Sequence, residues 1–108
     1  MKVELFWWDG CPSHPEALEQ LRQVLLEEGL DPESVERVEV ESDEQAEREG
    51  FHGSPTIRID GGDVLPPGEG DPVGLSCRVY RLRDGRPSPT PDPEDLRDAL
   101  RRRVHAGR

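Results

Sequence analysis

With 108 residues, a formal charge of −10 and 31% apolar residues, the chain is sized for one domain, residues 1–108, with a modest core. Its acidic balance excludes nucleic acid and anionic membrane surfaces as main partners, because both need basic patches. No apolar run approaches a membrane span, and two cysteines 66 positions apart do not make a secreted disulfide framework.

The first residues read as a strand without the basic and apolar regions of a signal peptide, so a cytoplasmic location is expected. Residues 2 to 8 are predicted to be buried on both faces, with Val3, Leu5 and Trp7 on one side and Phe6 and Trp8 on the other. Asp9-Gly10 ends this strand. Residues 13 to 28 read as a helix with an apolar stripe of Ala17, Leu18, Leu21, Val24 and Leu25. Pro12 and Pro15 are tolerable only in a first turn. Either Ser13 with Glu16 forms a capping box, or Cys11 is itself the cap. Both registers place the Cys11 sulfur at the positive helix end, a setting that favours the thiolate. Gly29 supplies the stop.

Asp31-Pro32-Glu33-Ser34 is a turn, and Val35 to Glu41 alternates as a second strand with Val38 and Val40 inward. Ser42 with Gln45 is a further capping box, opening a helix to about Glu49 that Gly50 terminates. Strand, helix, strand, helix in this order implies a right-handed parallel unit. Pro55 to Asp60 reads as a third strand with Ile57 and Ile59 on one face. The acidic Gly/Pro-rich stretch from Gly61 to Gly74 reads as a loop too long for a tight hairpin. Leu75 to Leu82 is the predicted fourth strand, with a turn at Asp84-Gly85 and a Pro-rich connector over 86–93. A last helix opens at Asp92 or Pro93 and runs to about Val104, carrying Leu96, Ala99, Leu100 and Val104 on one side. Arg101-Arg102-Arg103 is expected to complement a helix C-terminus rather than bind phosphate.

The order β-α-β-α-β-β-α, the cysteine after the first strand and Ser54-Pro55-Thr56 before the third together resemble the thioredoxin-like superfamily. The α/β fold implied is a four-stranded mixed sheet flanked by helices. One signature is Trp8-Asp9-Gly10-Cys11-Pro12-Ser13-His14, at the position of the family's C-x-x-C site. The other is Gly50-Phe51-His52-Gly53-Ser54-Pro55-Thr56-Ile57, which looks like the stretch leading into the family's cis-proline. Gly74-Leu75-Ser76-Cys77-Arg78-Val79-Tyr80 is similar to small bacterial thioredoxin-family proteins sometimes labelled alkylmercury-lyase-like. The resemblance implies a cis Ser54–Pro55 bond beside Cys11, a Ser54 backbone offered to an extended substrate, and Pro55 in the pocket wall. Position 14 is His, so the motif is C-x-x-H and lacks a resolving thiol. It resembles monothiol members, which need glutathione or another external thiol as co-substrate to finish, and no resident cofactor is expected.

Each candidate has a plain alternative. Cys11 is read as the nucleophile, against a small buried hydrophobe. His14 is either an ordinary first-turn residue or a neutral base assisting the thiol. His52 is read as a loop residue near the site. Cys77 is a resolving partner, a second soft ligand or a buried strand residue. A simple hairpin leaves it on the order of 10 Å from Pro55, beyond the roughly 7 Å that a disulfide allows, which favours the strand residue. Trp7 is expected in the core and Trp8 at the pocket rim. Asp9 either orients the site or caps the turn. Asp63, Glu69 and Asp71 lack the spacing of a calcium loop.

Three functions follow as expectations. In the first, Cys11 attacks a disulfide or oxidised thiol of a protein or small molecule, with Trp8, Pro12, Ser54 and Pro55 binding it and His14 assisting. In the second, Cys11 binds a soft metal or organomercurial with His14 or Cys77. In the third, the chain is a non-catalytic interaction module of the same fold.

Overall fold

The computed structural model describes residues 2–65 and 72–106, the last three by backbone alone. It is a mixed α/β structure built on a four-stranded mixed sheet, and three α-helices lie among the described residues.

β1 (Val3–Trp7) lies inside the sheet, parallel to β2 (Val35–Glu39) with Phe6 opposite Val38, and antiparallel to β3 (Thr56–Ile59) with Leu5 opposite Ile57. The sheet order is β2-β1-β3-β4. Alternation along β1 feeds two cores. Val3 and Leu5 join Ile57 and Ile59 against Leu21 and Leu25 of helix α1 (His14–Glu27) and Leu96 and Leu100 of helix α3 (Pro93–Ala106). Phe6 turns the other way, onto Val40, Phe51 and Ala46 of helix α2 (Asp43–Glu49). Fully burying side chains of this size contributes roughly 1.5–3 kcal/mol each, so these two layers carry the stability of the sheet. Trp7 departs from expectation: it is only half-buried and lies outside both cores, whereas Trp8 packs against the second.

Helix ends follow local chemistry. Gly29 adopts φ +76°, and the Gly29 and Leu30 amides donate to Leu26 and Leu25 carbonyls, closing α1 in a Schellman turn. Ser42 Oγ accepts from the Gln45 amide at 3.1 Å, and Gly50 ends α2 with φ +63°. The expected capping box at Ser13 is absent: Ser13 is the cap residue of α1 by position, but its side chain makes no capping hydrogen bond. Asp92 Oδ1 accepts the Glu94 amide at 2.8 Å and opens α3. The Val104 side chain lies outside the described residues.

Two expectations about the second half are corrected. Asp60 and Gly61 both take positive φ (52° and 85°), the requirement of a two-residue type I′ turn, so the chain turns back at once into β4 (Gly62–Asp63). The loop expected from Gly61 therefore begins with a strand, and its part from 66 to 71, with Glu69 and Asp71, lies outside the described residues. Leu75 to Leu82 is not the fourth strand, because β4 occupies the place beside β3. Only Tyr80–Arg81 of that stretch forms a strand, β5, which pairs with β6 (Pro87–Ser88) in a separate ribbon turned at Asp84-Gly85. Within the basic run, Arg101 pairs with Glu28, the C-cap residue of α1, and Arg103 donates to the Ile59 and Asp63 carbonyls of the β3–β4 hairpin. No helix among the described residues is long and apolar enough to cross a membrane.

Candidate functional site

β1 ends at Trp7, and the Cys11 amide donates back to the Trp8 carbonyl at 3.0 Å, forming a tight turn before α1. Gly10 permits it: a Cβ there would stand 2.4 Å from Trp8 Cζ2. Cys11 sits two residues before the α1 cap, so neither expected register, with Cys11 as cap or Ser13 as side-chain cap, is realised. The Cys11 residue is 1% exposed, and its thiol donates to the Ser54 carbonyl oxygen at 3.3 Å.

The Ser54–Pro55 peptide bond is cis, as the resemblance implies. Ser54 is fully buried, and both of its backbone groups are already engaged by the chain itself. Its amide donates to the Ser76 carbonyl at 2.8 Å, and its carbonyl accepts the Arg78 amide at 2.8 Å. These two bonds make a parallel bridge between Ser54 and Cys77. The Ser54 backbone is thus not free for a partner chain in this arrangement. Pro55 is buried too, and its carbonyl accepts the Tyr80 hydroxyl at 2.5 Å.

Cys77 is consequently neither a buried strand residue nor remote from Pro55. Adjacent backbones lie about 4.8 Å apart, so the bridge sets Cys77 one strand spacing from Ser54, whose carbonyl holds the Cys11 thiol. Cys77 is exposed, both cysteines are free, and the Cys77 thiol is pushed above its ordinary value. The causes, in order, are polar interaction with the neighbouring Cys11 sulfur, partial desolvation of the thiol, and charge repulsion between the two sulfurs. The hairpin geometry failed because β4 had taken the slot, leaving 76–78 to pair with Ser54 instead.

Arg78 locks this segment. Its guanidinium donates to Asp63 Oδ2 at 2.9 Å, to Thr56 Oγ1 at 3.2 Å and to the Leu65 carbonyl, and stacks 4.6 Å over the Tyr80 ring. Gly53, at φ +122°, allows the close approach: a Cβ there would lie 3.0 Å from the Arg78 amide nitrogen. Gly53, Asp63, Arg78 and Tyr80 stand in stretches noted in the sequence, but the sequence reading gives them no role in locking this segment. The alternation of Cys77, Arg78, Val79 and Tyr80 was the available signal, with exposed and buried residues taking turns.

Cys77 opens on two clefts. One of about 310 Å³ is lined by His52, Ser76 and Val79; another of about 280 Å³ by Val79, Pro87 and Pro89. His52 Nδ1 has no partner among the described residues. His14 stacks on Trp7 with ring centroids 4.3 Å apart, and Pro12 is exposed at the turn. Among the described residues, no group of three or more His, Cys, Asp or Glu side chains is disposed to hold a metal ion. No protein-family model, curated protein or solved structure matches the chain.

Proposed function

We propose that the protein is a thiol-dependent redox protein of thioredoxin-like fold that carries out thiol–disulfide exchange at the Cys11 locus. The observation that carries this reading is a reduced Cys11 thiol, 3.3 Å from the carbonyl that precedes a cis-proline, with a second free thiol on the neighbouring segment. The β2-β1-β3-β4 order, with β1 and β2 parallel and the other pairs antiparallel, supports the fold assignment. The chemistry needs an attacking sulfur, a disulfide-bearing protein or small molecule, and a second thiol to release the mixed disulfide. Glutathione in a cytoplasmic thiol pool serves as the external reductant. Trp8 and Pro12, on either side of Cys11 in the chain, are assigned to partner contact, and no metal is required.

The test is glutathione-driven reduction of a small disulfide, with the uncatalysed rate subtracted. Wild type accelerates it, and Cys11→Ser loses at least about tenfold of the acceleration while keeping its circular dichroism spectrum. Equal acceleration by the two proteins overturns the reading.

A further inference from the structure

We propose that Cys77 is the thiol an incoming disulfide meets, and that it then closes an internal disulfide with Cys11. This deepens the exchange function proposed above and rests on it. Access comes first. Cys11 is 1% exposed and shut behind Ser54 and its neighbours, whereas Cys77 stands at the surface between two clefts. A disulfide substrate reaches the second sulfur without moving the chain and cannot reach the first.

Juxtaposition comes second. Ser54 is the shared anchor: its one carbonyl oxygen accepts both the Cys11 thiol at 3.3 Å and the Arg78 amide at 2.8 Å. The single bridge at Cys77 is pinned by Ser76 before it and Arg78 after it, so Cys77 is held one strand spacing from the residue whose carbonyl takes the Cys11 thiol. The raised Cys77 thiol agrees with this proximity, since its largest cause is the neighbouring Cys11 sulfur, and it leaves the attacking Cys77 thiolate a minor form at neutral pH. The segment 76–78 lies along Ser54 as an extended substrate would, so the second thiol comes from within the chain, replacing the one missing from C-x-x-H. Val79, 66% exposed, with Pro87 and Pro89, gives the approach an apolar lining suited to the flanks of a disulfide.

The reaction balances without any further reactant. The Cys77 thiolate, its proton released to solvent, attacks one sulfur of R–S–S–R; a Cys77–S–R bond forms, the substrate bond breaks, and one RS⁻ leaves to take up a proton. The Cys11 sulfur, giving up its own proton, then attacks Cys77. The Cys11–Cys77 bond forms and the second RSH is released. The protein loses two electrons and two protons, which the substrate gains as two thiols. An external dithiol or two glutathione molecules restore the reduced pair.

Oxidised glutathione added to the intact, reduced protein tests this by mass spectrometry and peptide mapping. Wild type is expected to lose two thiols together and the mass of two hydrogens, with a Cys11–Cys77 cross-linked peptide and no lasting adduct. Cys11→Ser, or Cys11→Ala if the serine variant is unstable, is expected to accumulate a glutathionyl adduct on Cys77. Cys77→Ser is expected to react at least about tenfold more slowly than wild type. A lasting single adduct on wild-type Cys11, with Cys77→Ser as fast as wild type, overturns the proposal and leaves exchange at Cys11 standing. No reaction in any of the proteins overturns both.

Discussion

Arg78 meets Asp63 at 2.9 Å from the position directly after Cys77, so the ion pair that ties the chain to β4 also fixes the exposed thiol. Both side chains are largely buried, and the guanidinium also serves Thr56 and the Leu65 carbonyl. Removing one partner leaves the other charge without its counter-ion in a desolvated place.

Arg78→Met is therefore expected to destabilise the protein by about 3 kcal/mol, with a melting point lower by on the order of 10 °C or more. Adding Asp63→Leu in the same chain is expected to recover part of that loss, since the stranded carboxylate disappears. Urea unfolding of both variants checks this; a loss under about 1 kcal/mol for the single variant contradicts it.

Gly53→Ala is expected to cost about 1–3 kcal/mol, because φ +122° is strained for alanine and the new Cβ crowds the Arg78 backbone at 3.0 Å. The same crowding loosens the bridge at Cys77, so oxidative closure with Cys11 slows along with the loss of stability. A variant as stable as wild type by urea midpoint shows that Gly53 tolerates the side chain.

Two serines at helix starts are expected to differ. Ser42→Ala removes a real cap and costs about 1 kcal/mol, whereas Ser13→Ala removes none and stays within about 0.5 kcal/mol of wild type. Paired denaturant titrations separate them, and equal losses refute the distinction.

Alkaline pH is expected to weaken the fold through Cys77 and Tyr80. Both hold their protons more tightly folded than unfolded, Cys77 mainly through the Cys11 sulfur and Tyr80 mainly through burial. The folded chain then binds more protons than the unfolded one, so the stabilisation is complete below their ordinary values of 9.0 and 10.0. It is lost as pH climbs from there through the raised folded values. Urea midpoints measured from pH 8 to 11 should fall, and more shallowly in Tyr80→Phe, which has no phenol to ionise; a midpoint that rises over this range contradicts the assignment.

What sequence alone revealed was mostly local. Gly29 and Gly50 end helices because left-handed backbone is a property of the residue, and Ser42 caps because its hydroxyl needs only the amide three residues on. The strand pairing of β1 with β2 followed from the crossover helix. Long-range register was not readable in this way. Asp60-Gly61 specifies a tight turn, but it sits in a run of glycines and prolines that reads equally as loop, and overlooking it displaced the fourth strand. That displacement put Cys77 on a strand it does not join. Trp7 read as core by alternation, yet β1 ends there and the ring finds His14 instead.

The clamp of Arg103 on the carbonyls of Ile59 and Asp63 bears on how copies of the chain meet. β4 is only two residues long and the C-terminal helix reaches across it, while the opposite margin, β2, carries Glu36, Arg37 and Glu39. A strand from another molecule would have to displace a guanidinium on one flank or line up against a row of charges on the other. Both margins of the sheet thus oppose edge-to-edge aggregation.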